Sequence, residues 1–376
     1  LYANTTGTLN AAFGTAALLS NTTGNNNTAI GALALDANTT ASNNTAVGYA
    51  ALGANTTGSE NTAVGTEAMD ANTTGGDSVA FGYAALGANT TGSSNTALGY
   101  VALTANTTGT RNTSVGAASL DASTTGDDNT ALGYNALTAN TTANRNTAIG
   151  AFSLQTNTTG AENTALGYNA LEANTTGSRN VAVGDVALDA ATTATDNTAI
   201  GQGSMGATTT GIQNTAVGQS SLDANTTGQS NVAMGYGALT SSTTASYNTA
   251  LGWNALDVCT TGATNVAVGA NALGAVTTGS QNVAMGLSAG GSITTGGNHL
   301  LLGYNSGNSG SPGGAITTGN NEVTIGNGDH SKINVQVSLT VASDERDKTD
   351  FNDLDLGLAF VNQLQPVTYK WDKRHK

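Results

Sequence analysis

Asn44-Thr-Ala-Val-Gly-Tyr-Ala-Ala-Leu-Gly-Ala-Asn-Thr-Thr-Gly-Ser-Glu60 is seventeen residues long, and Asn61 begins the same phrase again. Its Gly48 belongs to a register that runs Gly14, Gly31, Gly48, Gly65, Gly82, Gly99, Gly116 and onward to Gly303, every step being 17. The next register glycine, Gly326, comes after 23 residues, one period plus six, and the Ser/Gly/Pro stretch 306–314 takes up the surplus as a loop. A fixed period sustained over this length marks a chain of stacked repeats. Seventeen residues are too few for a helical hairpin, and the apolar positions lack a 3.6-residue rhythm. Short β-branched runs punctuated by glycine predict an all-β, repetitive β-solenoid with two or three brief strands per rung.

The slot five residues before the register glycine tests the stacking. It holds Arg111, Asp128, Arg145, Glu162, Arg179 and Asp196 in successive rungs, with strict alternation of sign. Rungs stacked in register about 4.8 Å apart would place these side chains directly over one another, where unlike charges attract and like charges repel. Duplication of a 34-residue unit would copy the same alternation, and the two origins are compatible. The Thr-Thr pair and the asparagine opening each rung, as at Asn27, Asn44, Asn61 and Asn95, predict ladders of identical polar side chains along the stack.

A rung offers two large aliphatic side chains, such as Val47 and Leu52, against the entropy of ordering seventeen backbones. That is a thin core for an isolated column. Burial of a further face between copies is therefore expected, most simply in a homotrimer with chains intertwined or side by side.

The net charge is −14, and its distribution excludes some partners. Residues 1–331 carry three arginines, no lysine and seventeen acids, while residues 332–376 balance seven cations against seven acids. The break divides the chain into a repeat stalk over 1–303, a final rung with the six-residue loop over 304–331, a connecting strand over 332–342 and a distinct segment over 343–376. An acidic, lysine-free body repels phosphate backbones and anionic lipid, so nucleic acid is not an expected partner. No run of 18 apolar residues predicts insertion into a membrane. Cys259 is alone and forms no intrachain disulfide. The chain begins inside a repeat without an initiator Met and is expected to be part of something longer.

Beyond the repeats, Val335 to Val341 alternates as a strand, and Ser343-Asp-Glu-Arg-Asp-Lys-Thr349 follows. Asn352 can cap a short helix with apolar positions Leu354, Leu358, Val361 and Leu364, ended by Pro366, after which Val367, Tyr369 and Trp371 alternate again. The segment Ser-Asp-Glu-Arg-x-Lys, the short helix and Leu364-Gln-Pro-Val-Thr-Tyr-Lys-Trp371 resemble the C-terminal intramolecular chaperone domain of phage tail fibres and endosialidase tailspikes. That domain trimerises a fibre and then cuts itself off. The resemblance covers about 34 residues and implies the start of a small α+β domain, with Ser343 as nucleophile at the cleavage point, Lys348 as its base and Asp344 beside them. A serine hydroxyl needs such a base, and a desolvated lysine can serve. Asp347, next to Lys348, favours the charged ammonium and opposes that role. The repeats themselves look like those of viral fibre stalks, and Asn-Thr-Ala-Val-Gly is similar to the head repeats of trimeric autotransporter adhesins.

Several further positions are candidate sites. The slot after the register glycine carries Tyr49, Tyr83, Tyr100, Tyr134, Tyr168, Tyr236, Trp253 and Tyr304, suited to packing between chains or to stacking on a surface glycan. Asn-Thr-Thr at Asn4, Asn38, Asn55 and Asn72 has the form of a glycosylation acceptor, but glycans on adjacent rungs would collide. The acids five residues after the register glycine, among them Asp36, Asp70, Asp121, Glu172, Asp189, Asp223 and Asp257, make an intermittent stripe that reads as a solvated face rather than a calcium site. His299, His330 and His375 have no metal-ligand spacing with Cys259, and neither a metal nor another cofactor is expected.

These readings predict a structural protein: the stalk of a virion tail fibre acting in host attachment, with itself as principal partner and a host glycan or receptor as a further one. A bacterial extracellular adhesive filament is the alternative, with ice binding and a tailspike depolymerase behind it. The stalk itself would not be an enzyme, and the only chemistry expected is a single self-cleavage at Ser343. Either leading reading places the protein on a virion or outside the cell.

Overall fold

The computed structural model describes residues 2–332 and 334 of the chain. The chain divides into two units, 1–330 and 331–376, and the first is a single parallel β-solenoid. The C-terminal strand, helix and serine motif expected from sequence lie outside the described residues.

Each rung contributes one three-residue strand. Strand β1 spans Ala11–Phe13, β2 Thr28–Ile30 and β3 Thr45–Val47, and the series continues at the 17-residue interval to β18, Leu300–Leu302. Neighbours pair in parallel and in register, Thr28 with Thr45, Ala29 with Ala46 and Ile30 with Val47. The last strand, β19 at Val323–Ile325, pairs with β18 through Leu300 and Val323, 23 residues apart, so the insertion leaves the sheet intact. The surplus sits between Ser306 and Thr317: Gly290 still donates to Ser306 with the ordinary offset, and Thr294 already donates to Thr317.

Only one strand per rung forms, where the spacing predicts two or three. The reason is the left-handed backbone at three positions of each rung, mostly held by residues other than glycine and exemplified by Ala50 (φ 54°), Leu52 (φ 52°) and Glu60 (φ 63°). Such residues end a strand, at a cost of about 1–2 kcal/mol each. The inter-rung ladder continues through them all the same. Ala50 donates to Ala32, Leu52 to Ala68, Ala54 to Asp70 and Glu60 to Ser42, each at 2.9–3.1 Å.

The register glycine is where rungs approach most closely. A Cβ on Gly48 would overlap the Gly65 carbonyl oxygen and stand 2.6 Å from its carbon, and φ is +141°. No other residue fits there.

Val47 does not join the core, contrary to expectation. In the strand Ala46 points inward and is fully buried, while Thr45 and Val47 share the outward face. The core of a rung is Ala46, Ala51 and Leu52, continued above and below by Leu35 and Met69. One large apolar side chain per rung is thus buried. Near the C-terminal end the packing changes hands: Gly290 and Gly307 stand in the leucine slot, and Leu301, in the strand position that is alanine in most rungs, reaches toward the space they leave.

Polar ladders complete the interior. Asn89 donates its amide to Asn72 Oδ1 at 2.8 Å and to the Gly92 carbonyl at 2.9 Å, and accepts from Asn106 at 2.8 Å. A second column, through Asn112, Asn129 and Asn146, accepts the backbone N–H of the following rung and donates to a carbonyl. Both columns are buried. The first threonine of each pair caps the next rung, as Thr56 Oγ1 does to Thr73 O at 3.0 Å. The asparagine of the glycosylation motif is therefore an interior side chain: Asn38, Asn55 and Asn72 are fully buried with their amides engaged.

Candidate functional surfaces

The charged slot forms the ladder its alternation predicts. Arg111 makes a two-pronged contact with Asp128 at 2.6 and 3.0 Å, Arg179 does the same with Asp196 at 2.6 and 2.9 Å, and Arg145 meets Glu162 at 2.8 Å. Each arginine pairs with the acid one rung further on. The hydrogen bond from Arg111 holds the Asp128 carboxyl below the ordinary aspartate value. These pairs are exposed, and solvent screening leaves each a small contribution to stability.

The outward strand face is an apolar strip. Ile30, Phe81, Leu132, Leu166, Met234 and Leu251 occupy the same position in their rungs and all are exposed. A threonine or valine stands two residues earlier on the same face. An apolar surface continuous over this many rungs exceeds what an unpartnered soluble surface ordinarily shows.

Beside it runs the aromatic row. Tyr49, Tyr83, Tyr100, Tyr134, Tyr168, Tyr236 and Trp253 are all about half exposed. Tyr83 and Tyr100, on adjacent rungs, stack with centroids 5.5 Å apart and an interplanar angle of 15°. Tyr134 and Tyr168 are two rungs apart and are joined by Phe152, edge-on to both at 5.4 and 5.9 Å. Phe152 was not singled out by sequence because it stands two residues after its register glycine rather than one. Glu67 raises the Tyr83 phenol by its nearby charge, with a smaller contribution from burial.

The acids five residues after the register glycine are half-buried. Burial raises Asp36, Asp70, Asp189, Asp223 and Asp257 above the ordinary carboxylate value, with Glu67 adding to the effect at Asp70. Among the described residues no three His, Cys, Asp or Glu side chains gather as a metal site. His299 occupies an asparagine slot, buried, with Nε2 2.8 Å from Gly319 O and Nδ1 accepting from the Glu322 amide. Cys259 replaces a ladder asparagine, and burial pushes its thiol up to about 11, which leaves it unreactive near neutrality. No helix among the described residues is long and apolar enough to cross a membrane. Ser343, Asp344 and Lys348 lie outside the described residues.

Residues 343–376 match the model of a protein family described as the chaperone of endosialidase. The match begins at Ser343 and covers the motif quoted above. No curated protein matches the chain. The molecule is thus defined as a parallel β-solenoid whose C-terminal segment is similar to that chaperone family.

Proposed function

We propose that this chain is the stalk of a homotrimeric extracellular fibre, the tail fibre of a virion, which carries an attachment function away from the particle. The observation that supports it most is the chaperone match at 343–376, which follows the nineteen stacked strands in the sequence. A rigid column of this kind has the mechanical form of a spacer. The chaperone segment supplies a reason for copies to assemble.

The strand face is the surface through which the copies pack. Its apolar row has no cover among the described residues, and each rung buries about one large apolar side chain. Burying such a strip recovers about 25 cal/mol for each Å² removed from water. In the chaperone segment Ser343 Oγ attacks the peptide carbonyl at the cleavage point to form an ester, Lys348 accepts the hydroxyl proton and passes it to the departing amide nitrogen, and water hydrolyses the ester to release the fragment.

The test joins sedimentation equilibrium to intact mass. The fibre reading expects three copies per particle, and it expects Leu132→Lys with Leu166→Lys to yield single chains that keep the β circular-dichroism spectrum. It also expects loss of a C-terminal fragment that Ser343→Ala and Lys348→Ala each prevent. A wild-type monomer overturns the stalk. An uncut trimer removes Ser343 and Lys348 from the chemistry and leaves the stalk standing.

A further inference from the structure

Along one side of the column a series of depressions lies between the position two residues after the register glycine and the one three residues further on, where Gly203, Ser220, Gly237 and Asn254 keep the wall low. Ser220 and Asp223 line both the first and the second, Asp257 joins the second to a third, and Asn305 and Asn308 join the third to a fourth that ends at Asp329. The second alone has a volume of about 330 Å³. From the rung of Asp189 to that of Asn308 is seven steps, so the groove is about 34 Å long at the usual strand spacing.

Its chemistry is one-sided. Asp189, Asp223 and Asp257 stand in it at every second rung, about 9.6 Å apart at that spacing, with small residues between. Residues 180–331 contain no Lys or Arg, so nothing there attracts an anion. A single cation cannot be shared between carboxylates two rungs apart, since its ligands must converge within about 2.6 Å of it. What the groove offers is a regular row of acceptors, the amide of Asn254, the hydroxyls of Ser220 and Thr240, and the exposed rings of Tyr236 and Tyr304 at its edge. Hydroxyl-bearing rings with apolar C–H faces satisfy both the acceptors and the aromatics.

We infer that this groove binds a neutral or amino-bearing polysaccharide laid along the column axis, one repeat of the polymer meeting each carboxylate in turn. The inference stands on the groove alone and does not require the fibre reading.

Calorimetric titration of the full chain with the hexamers of N-acetylglucosamine and of glucosamine, beside a hyaluronan hexasaccharide, tests it. At least one of the first two binds, and the anionic hexasaccharide does not. Ser220→Phe with Gly237→Phe refills the groove and weakens binding by about tenfold or more. Phe152 occupies the same rung position at φ 60° against 53° for Ser220, and at Gly237 the added Cβ overlaps only the Asn254 amide, a side chain that can turn aside. Asp223→Asn with Asp257→Asn also weakens binding, most for the glucosamine hexamer. Ala118→Phe, in the same slot but outside these depressions, leaves it unchanged. Absence of binding by either hexamer, preference for hyaluronan, or binding that survives the refilled groove overturns the proposal. So does a refilled variant that only changes the number of copies per particle, since another copy would then be the occupant. A monomer that binds sugar contradicts the stalk but not the groove, and a trimer that binds none contradicts the groove alone.

Discussion

Replacing Asn89 by alanine breaks the interior ladder at a place where every bond can be counted. The variant loses two donated bonds, to Asn72 Oδ1 and the Gly92 carbonyl, and one accepted bond, from Asn106. Each is buried, and a net contribution of about 1 kcal/mol per bond, plus the desolvation of acceptors left unpaired, gives about 3–5 kcal/mol. The chain contains the same defect naturally. Where the next ladder position is Ser123, Ala191 or Ser242, the preceding Asn106, Asn174 or Asn225 keeps a buried Oδ1 without a partner. Ala191→Asn should therefore stabilise, by about 2 kcal/mol, because a new amide would reach Asn174 Oδ1 and the Ala194 carbonyl. Hydrogen exchange read rung by rung is the assay, since contacts run only between neighbouring rungs and the effect should be local. Asn89→Ala lowers protection around Thr73, Thr90 and Thr107, and Ala191→Asn raises it around Thr175 and Thr192. Unchanged protection in the first variant, or a loss in the second, would refute the ladder as a source of stability.

Other perturbations follow from the same geometry. Gly150→Ala places a Cβ 2.6 Å from the Gly167 carbonyl carbon at φ +133°, so this rung should open by several kcal/mol, about 3 or more, in the same exchange experiment. Glu60 and Asp77 stack acid on acid in the slot that elsewhere alternates, and Glu60→Arg should raise stability by about 0.5 kcal/mol, an increment that 1 M salt abolishes. Lowering pH should not weaken the column at first. Asp36, Asp70, Asp189, Asp223 and Asp257 have folded values above the unfolded one, so the folded state takes up protons first and stability rises as pH falls toward about 4. Asp128 and Asp196, held low by their arginines, act oppositely below that range. Thermal melting from pH 7 to 4 checks the sign, and Asp223→Asn with Asp257→Asn should flatten the profile.

The register glycines and the alternating charges carried the stack in plain view, because both depend only on what lies one period away. The inward and outward assignment of Val47 was harder. An apolar residue in a short strand invites burial, yet period-two alternation ties Val47 to Thr45 and leaves Ala46 inside. The left-handed residues at Ala50 and Leu52 carry no local signal of their own. Their trace is that glycine occupies the same slots at Gly203, Gly237 and Gly290, each with φ near 65°. Asn55 has only the form of a glycosylation acceptor in the sequence, and nothing short of the stacked geometry shows its amide bonded to Asn38 one rung away. The groove had no signal in the sequence, since small residues such as Ala50, Ala84 and Ala118 occupy the same slot in earlier rungs.

Mass per unit length, measured by scanning transmission electron microscopy on the isolated protein, tests the account most directly, because it reads the rung spacing and the copy number together. A chain of 36.9 kDa in 376 residues puts about 1.7 kDa into each seventeen-residue rung, so three columns in register at about 4.8 Å give about 1 kDa per Å. The account predicts that value along a straight rod. About one third of it would mean a solitary column and contradict the trimeric stalk, and a rod much shorter than the rung count requires would contradict the solenoid itself.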